Sequence, residues 1–178
     1  DKNPITNGKE ALEEPDLQGK NFESACAPEI LGDIKSFRVA YEFQGSNIVR
    51  TTIQFTSPDC SAEAYRYRDT GTFNITKNQR TADGGYFMDI NYNKLNVVIT
   101  SDAGAVAANA LSLCGAADWA TSQDREVTAA SKGLNCYGAD VPRVNFNVYR
   151  LDGGNTLFLG STTLENGTPR PTALLPVS

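Results

Sequence analysis

The residues with the most evident chemical potential are Cys26, Cys60, Cys114 and Cys136, four cysteines in a 178-residue chain that contains no histidine. No two of them form a C-x-x-C pair, so neither a redox dithiol nor a zinc knuckle is expected, and disulfides account for them best. Of the possible pairings, Cys26 with Cys60 and Cys114 with Cys136 are expected, because each closes a moderate loop between neighbouring elements; such a loop stabilises by roughly 3 kcal/mol through chain entropy. The lack of imidazole removes Ser-His and Cys-His nucleophiles, histidine general bases and ordinary zinc or copper sites. Carboxylates at Glu23, Asp59, Glu63, Asp69, Asp83, Asp89, Asp118 and Asp124 are plentiful, but a glycosidase needs two of them across a cleft, which no linear spacing specifies. Asp83-Gly84-Gly85 and Asp152-Gly153-Gly154-Asn155 read as turns rather than calcium loops, and no S-x-x-K pattern supports a Ser-Lys nucleophile. No catalytic residue, metal site or cofactor is therefore expected, and the chain reads as a non-enzyme.

Binding is the better candidate. The aromatic strip Phe37, Tyr41, Phe43, Tyr65, Tyr67, Tyr86 and Met88 is expected either to line a cavity for a small, mostly apolar ligand or to fill a barrel core, since an eight-stranded barrel accommodates both. Arg38, Arg50, Arg66 and Arg68 alternate with apolar residues, as a cationic stripe for an acid would; a solvated outer face neutralised by Glu42, Glu63 and Asp69 is the plainer reading. Trp119 is either core or an exposed anchor for a partner protein.

These side chains need a scaffold, and the alternation supplies one. Ile34 to Gln44 places Phe37, Val39, Tyr41 and Phe43 on one face; after a Gly45-Ser46-Asn47 turn, Ile48 to Thr56 places Val49, Thr51, Ile53 and Phe55 on one face. A long strand over 61–76 is interrupted at Gly71 by an expected bulge. Residues 86–92 and 95–100 form a hairpin with Asn93-Lys94 at its tip. Ser101 to Gly115 reads as one helix presenting Val106, Ala110 and Leu113 to the sheet. A long polar connection follows, then strands over 143–151, with Val144, Phe146 and Val148 on one face, and over 155–162. The segment 27–33, with Pro28 and Gly32, reads as a connection, and the tail 166–178 as a surface wrap. The fold class expected is all-β, mainly antiparallel: an up-and-down β-barrel of about eight strands with one late α-helix.

Residues 1–16 read as a polar tether and 17–178 as one domain, of ordinary size for a single core. The formal charge of -5, from 16 basic and 21 acidic residues, leaves no footprint for nucleic acid. No run is apolar enough to span a membrane as a helix. A tether of this kind also follows the lipidated cysteine of bacterial lipoproteins, so membrane attachment is expected only through an anchor upstream of residue 1. The protein is expected to be an exported monomer, periplasmic, outer-membrane-associated or secreted. Asn74-Ile75-Thr76 and Asn166-Gly167-Thr168 fit the glycosylation pattern, as chance would allow in so Asn- and Thr-rich a chain.

Leu17-Gln18-Gly19-Lys20-Asn21-Phe22 resembles the lipocalin opening, in which a Gly and a nearby Trp mark the first strand; here Phe22 stands for the Trp and one more residue separates it from Gly19. Cys114-Gly115-Ala116-Ala117-Asp118-Trp119 after a helix, followed by paired strands and Arg170-Pro171-Thr172, is similar to bacterial exported lipocalin-like (calycin) proteins of unassigned activity. Over Leu17 to Leu164 the resemblance implies an eight-stranded barrel holding a small apolar ligand in its mouth, with the late helix outside the wall. The alternative is a structural or interaction protein of the cell envelope, a lipoprotein or an enzyme inhibitor acting through its loops around a filled barrel.

Overall fold

A computed structural model of the protein describes residues 17–160 and 170–177. The expected tether 1–16 and most of the tail before Arg170 lie outside the described residues. The strands are β1 (Asn21–Glu23), β2 (Ala27–Leu31), β3 (Ile34–Gln44), β4 (Asn47–Phe55), β5 (Glu63–Arg80), β6 (Tyr86–Ile99), β7 (Asp124–Glu126), β8 (Arg143–Asp152), β9 (Thr156–Gly160) and β10 (Leu174–Pro176), with one helix, α1 (Asp102–Leu111). They form one sheet in the order β1-β3-β4-β5-β6-β8-β9-β10, with β2 added to β3 and β7 to β6, and every pairing is antiparallel.

This is a mostly antiparallel, barrel-like β fold with one helix, in which the sheet curls into a half-barrel. Its two ends approach each other: Lys20 Nζ, just before β1, donates to Gly154 O in the β8–β9 turn at 3.1 Å. Phe22 and Phe43 share an apolar cluster with Tyr149, Leu157 and Leu159 from the far end.

Several elements depart from the sequence pattern for identifiable reasons. Residues 86–99 are one strand rather than a hairpin. Gly71 pairs with Tyr92 and Thr70 with Lys94, so Asn93 is the extra residue of a bulge. Gly71 is required there, because a Cβ on it would collide with the backbone carbonyl of Asn91. The segment after Cys26 is β2, paired with Ala27 opposite Phe37, and the tail contributes β10. The connection beyond α1 adds β7 along the C-terminal half of β6.

Helix α1 begins with Ser101, whose Oγ accepts from Gly104 N at 3.0 Å and donates to Glu63 O at 2.8 Å, fixing the helix to the start of β5. It buries Gly104, Ala107 and Ala108, whereas Val106 is 65 % exposed. The small residues, not Val106 and Ala110, meet the sheet because the helix lies so close that Gly104 touches the Ala64 backbone. The Ala107 and Ala108 face packs with Ile34, Tyr65 and Val97. Tyr65 and Val97 belong to the same sheet face as Phe43 and Met88, so the helix covers one end of the inner face.

The disulfides pair as expected. Cys26–Cys60 ties the start of β2 to the β4–β5 connection, and Cys114–Cys136 bridges the segment after α1. No described cysteine is free.

Candidate functional site

Two residues, Gly45 and Ser46, turn β3 into β4, so Tyr41 faces Arg50, Val39 faces Thr52 and Phe37 faces Gln54. Directly opposed residues share a face. Arg50, Thr52 and Gln54 therefore point inward with the aromatic residues, and Val49, Thr51, Ile53 and Phe55 point outward. A three-residue turn including Asn47 shifts the register by one and inverts every assignment. β8 is inverted in the same way. Arg143, Asn145, Asn147 and Tyr149 oppose Tyr92, Ile90, Met88 and Tyr86 and are buried, while Phe146 is on the outer face.

The inner face consequently carries two apolar clusters with a polar layer between them. At the helix end lie Ile34, Tyr65, Tyr67, Leu95, Val97, Ile99, the helix alanines and Trp119. At the other end lie Phe43, Ile48, Tyr86, Met88, Ile90, Tyr149 and Leu157, each at most 4 % exposed.

In the layer between, Arg143 Nη2 donates to Asp69 Oδ2 at 2.6 Å, with both side chains fully buried. The Arg143 guanidinium lies 4.2 Å from the Tyr92 ring centre. Burial pushes the Asp69 carboxyl above the ordinary aspartate range, outweighing the opposing pull of Arg143. Arg50 Nε donates to Tyr41 OH at 3.1 Å, and its Nη1 donates to Thr52 Oγ1 at 3.1 Å and to Tyr137 OH. Among the described residues Arg50 thus has only hydroxyls as acceptors. Burial raises the pKa of Tyr65, Tyr67, Tyr92 and Tyr137, so these phenols are neutral at physiological pH.

Above this layer, a cavity of about 220 Å³ is lined by Leu31, Phe37 and Val39 on one side, Arg50, Thr52, Gln54 and Tyr67 on the floor, and Cys136 and Tyr137 opposite, with Glu29 completing the lining. The Tyr137 ring stands 5.2 Å from that of Tyr67 and is held over the sheet by its neighbour Cys136, whose partner Cys114 follows α1. Among the described residues, the Tyr67 hydroxyl and Gln54 Oε1, both on the cavity floor, and the Tyr65 hydroxyl behind it are buried without a hydrogen-bond partner. Buried polar groups are ordinarily satisfied, so two such groups in one lining mark the cavity out.

The seven residues of the aromatic strip divide. Phe37 and Tyr67 line the cavity, and Tyr41 holds Arg50 beneath it. Tyr65 is fully buried in the helix-end cluster, edge to face with Tyr67 at 5.9 Å. Phe43, Tyr86 and Met88 fill the opposite cluster and do not line this cavity. Sequence reasoning missed Thr52, Gln54 and Tyr137 as lining residues and placed Arg50 on the wrong face; the two-residue turn at Gly45-Ser46 was the signal for Arg50, Thr52 and Gln54.

The other arginines of the stripe lie on the outer face, each beside a carboxylate: Arg38 with Glu23 at 3.0 Å, Arg66 with Glu63, and Arg68 with Asp124 at 2.8 Å. Trp119 is 3 % exposed. Its Nε1 donates to Leu113 O at 3.0 Å, and the Asn109 side chain pairs with both backbone groups of Trp119. It is a core residue, not an anchor. Among the described residues no helix is long and apolar enough to cross a membrane.

The sequence matches no family model and no curated protein.

Proposed function

We propose that this protein is a non-enzymatic, lipocalin-like binding protein of an oxidising, exported compartment, and that it takes one small, mostly apolar molecule in the cavity beneath Tyr137. The observation that carries this reading is the cavity itself: apolar walls of Leu31, Phe37 and Val39 closed by a floor of fixed polar groups. That combination suits a small molecule whose body is held by burial and whose orientation is set by a few hydrogen bonds. Ligand pockets commonly span about 300 to 1,000 Å³. At about 220 Å³, and with Phe43, Met88 and Tyr149 filling the interior below, the space suits a compact ligand rather than a long chain. The two disulfides support an exported setting, where such bonds persist.

Amide NMR titration with a panel of small aromatic and aliphatic compounds tests the reading. Saturable shifts at Phe37, Val39, Thr52 and Tyr67 are expected, and Val39→Phe, which occupies the space, is expected to abolish them. Shifts scattered over the outer face, or unchanged by Val39→Phe, would overturn it.

A further inference from the structure

The floor of the cavity carries a guanidinium that no carboxylate of the described residues hydrogen-bonds. Half-buried Arg50 shares the polar layer with the buried Arg143 and one buried carboxylate, Asp69. That carboxylate is engaged directly by Arg143, whose guanidinium also stacks on Tyr92 and so is committed. Arg50 is the guanidinium that lines the cavity. Its hydrogen bonds run from Nε and Nη1 to three hydroxyls, and Nη2 meets no acceptor among the described residues. Tyr67, 3 % exposed, lines the same floor and brings a second donor, a hydroxyl with no acceptor among the described residues. A half-buried guanidinium beside a buried hydroxyl donor favours an acceptor at this floor.

We infer that this floor is an anion subsite, with Arg50 Nη2 and the Tyr67 hydroxyl as its donors, and that the ligand is a small organic monocarboxylate with an apolar body. This assignment rests on the ligand-binding reading above and specifies its chemistry. The carboxylate supplies the acceptors that the floor lacks, through charge-assisted hydrogen bonds, while Leu31, Phe37 and Val39 enclose the body. The acid leads inward because the other charged lining residue, Glu29, would repel a second negative charge. A monoanion fits this polarity and a dianion does not. Tyr41, Thr52 and Tyr137 act as positioning residues, holding the guanidinium plane in place by accepting from its other nitrogens.

The test is calorimetric titration of the intact, oxidised protein with phenylacetate, its neutral counterpart phenylethanol and its cationic counterpart phenethylamine. Phenylacetate is expected to bind about tenfold or more tighter than the alcohol, with the amine weakest, as a desolvated charge-assisted contact implies. Arg50→Gln is expected to remove the preference for the acid, so that acid and alcohol bind within about twofold of each other. Should that variant fail to fold, the three-ligand comparison on the unaltered protein decides alone. Acid, alcohol and amine binding within about twofold of one another would overturn the anion subsite while leaving the cavity as a binding site. No saturable binding by any of the three at millimolar concentration would overturn the cavity reading and the subsite with it.

Discussion

Arg143 and Asp69, 74 residues apart in sequence, meet through a 2.6 Å ion pair with neither side chain exposed to solvent. The pair joins β8 to β5, two strands separated in the sheet by β6 alone, along the inner face. It therefore ties next-nearest strands together across β6, by charge, within the polar layer between the two apolar clusters.

Removing one member leaves the other charged and buried. Asp69→Asn is expected to lower stability by about 3 to 5 kcal/mol, whereas Asp69→Leu combined with Arg143→Met is expected to cost far less, because it removes both desolvated charges together. Urea unfolding of the single and double variants measures the difference. A single variant as stable as the parent would mean that the pair is not enclosed as described.

Gly104 offers a test through sign. In an exposed helix, Gly→Ala is expected to stabilise by about 1 kcal/mol. Here a Cβ would run into the Ala64 backbone, so Gly104→Ala is expected to destabilise by about 1 to 3 kcal/mol through overpacking. A rise in melting temperature would refute the close approach of α1 to β5.

The alkaline limit of stability follows from the phenols. Burial raises Tyr65, Tyr67, Tyr92 and Tyr137 in the folded protein. The folded state thus holds these protons more tightly than the unfolded chain, where tyrosine titrates near pH 10. The stabilisation is complete below that value and is lost as pH rises through the higher folded values. Phenolate absorbance and circular dichroism should consequently change together in one step above about pH 10. Smooth phenolate formation with the fold intact would contradict the burial of these rings.

The disulfide Cys114–Cys136 spans 22 residues, and replacing both cysteines by alanine is expected to cost about 3 kcal/mol. It should also release Tyr137 from Arg50, which cross-peaks between the two side chains would report. Persistence of those cross-peaks would show that the segment holds its place without the bond.

The strands and cysteine pairs were legible because they depend on local patterns: alternation in β3, β-branched residues in β4, and loop lengths between cysteines. The face of each strand was legible only where apolar residues point inward, as with Tyr65 and Tyr67. In β4 and β8 the interior residues are Arg50, Thr52 and Gln54, and Arg143, Asn145 and Asn147, so the apolar-in assumption pointed outward. Consistency between local pattern and fold lapses where an interior is polar, and such places are frequently functional. Asn93-Lys94 misled for a different reason. A bulge and a turn share the same polar residues, and only the partner strand, through Gly71, distinguishes them. Tyr137 could not be placed at all, since a long polar connection gives no periodicity to read.

The layer of Arg50, Asp69 and Arg143 also divides the interior mechanically. The two apolar clusters run along the same long strands but are separate bodies of packing, which is the arrangement expected of partly independent cooperative units. On the proposed binding reading, loosening Tyr137 and its disulfide-bound segment to admit a ligand is expected to disturb the helix-end unit alone. The cluster around Phe43, Met88 and Tyr149 is then expected to hold the strand register while the other end opens.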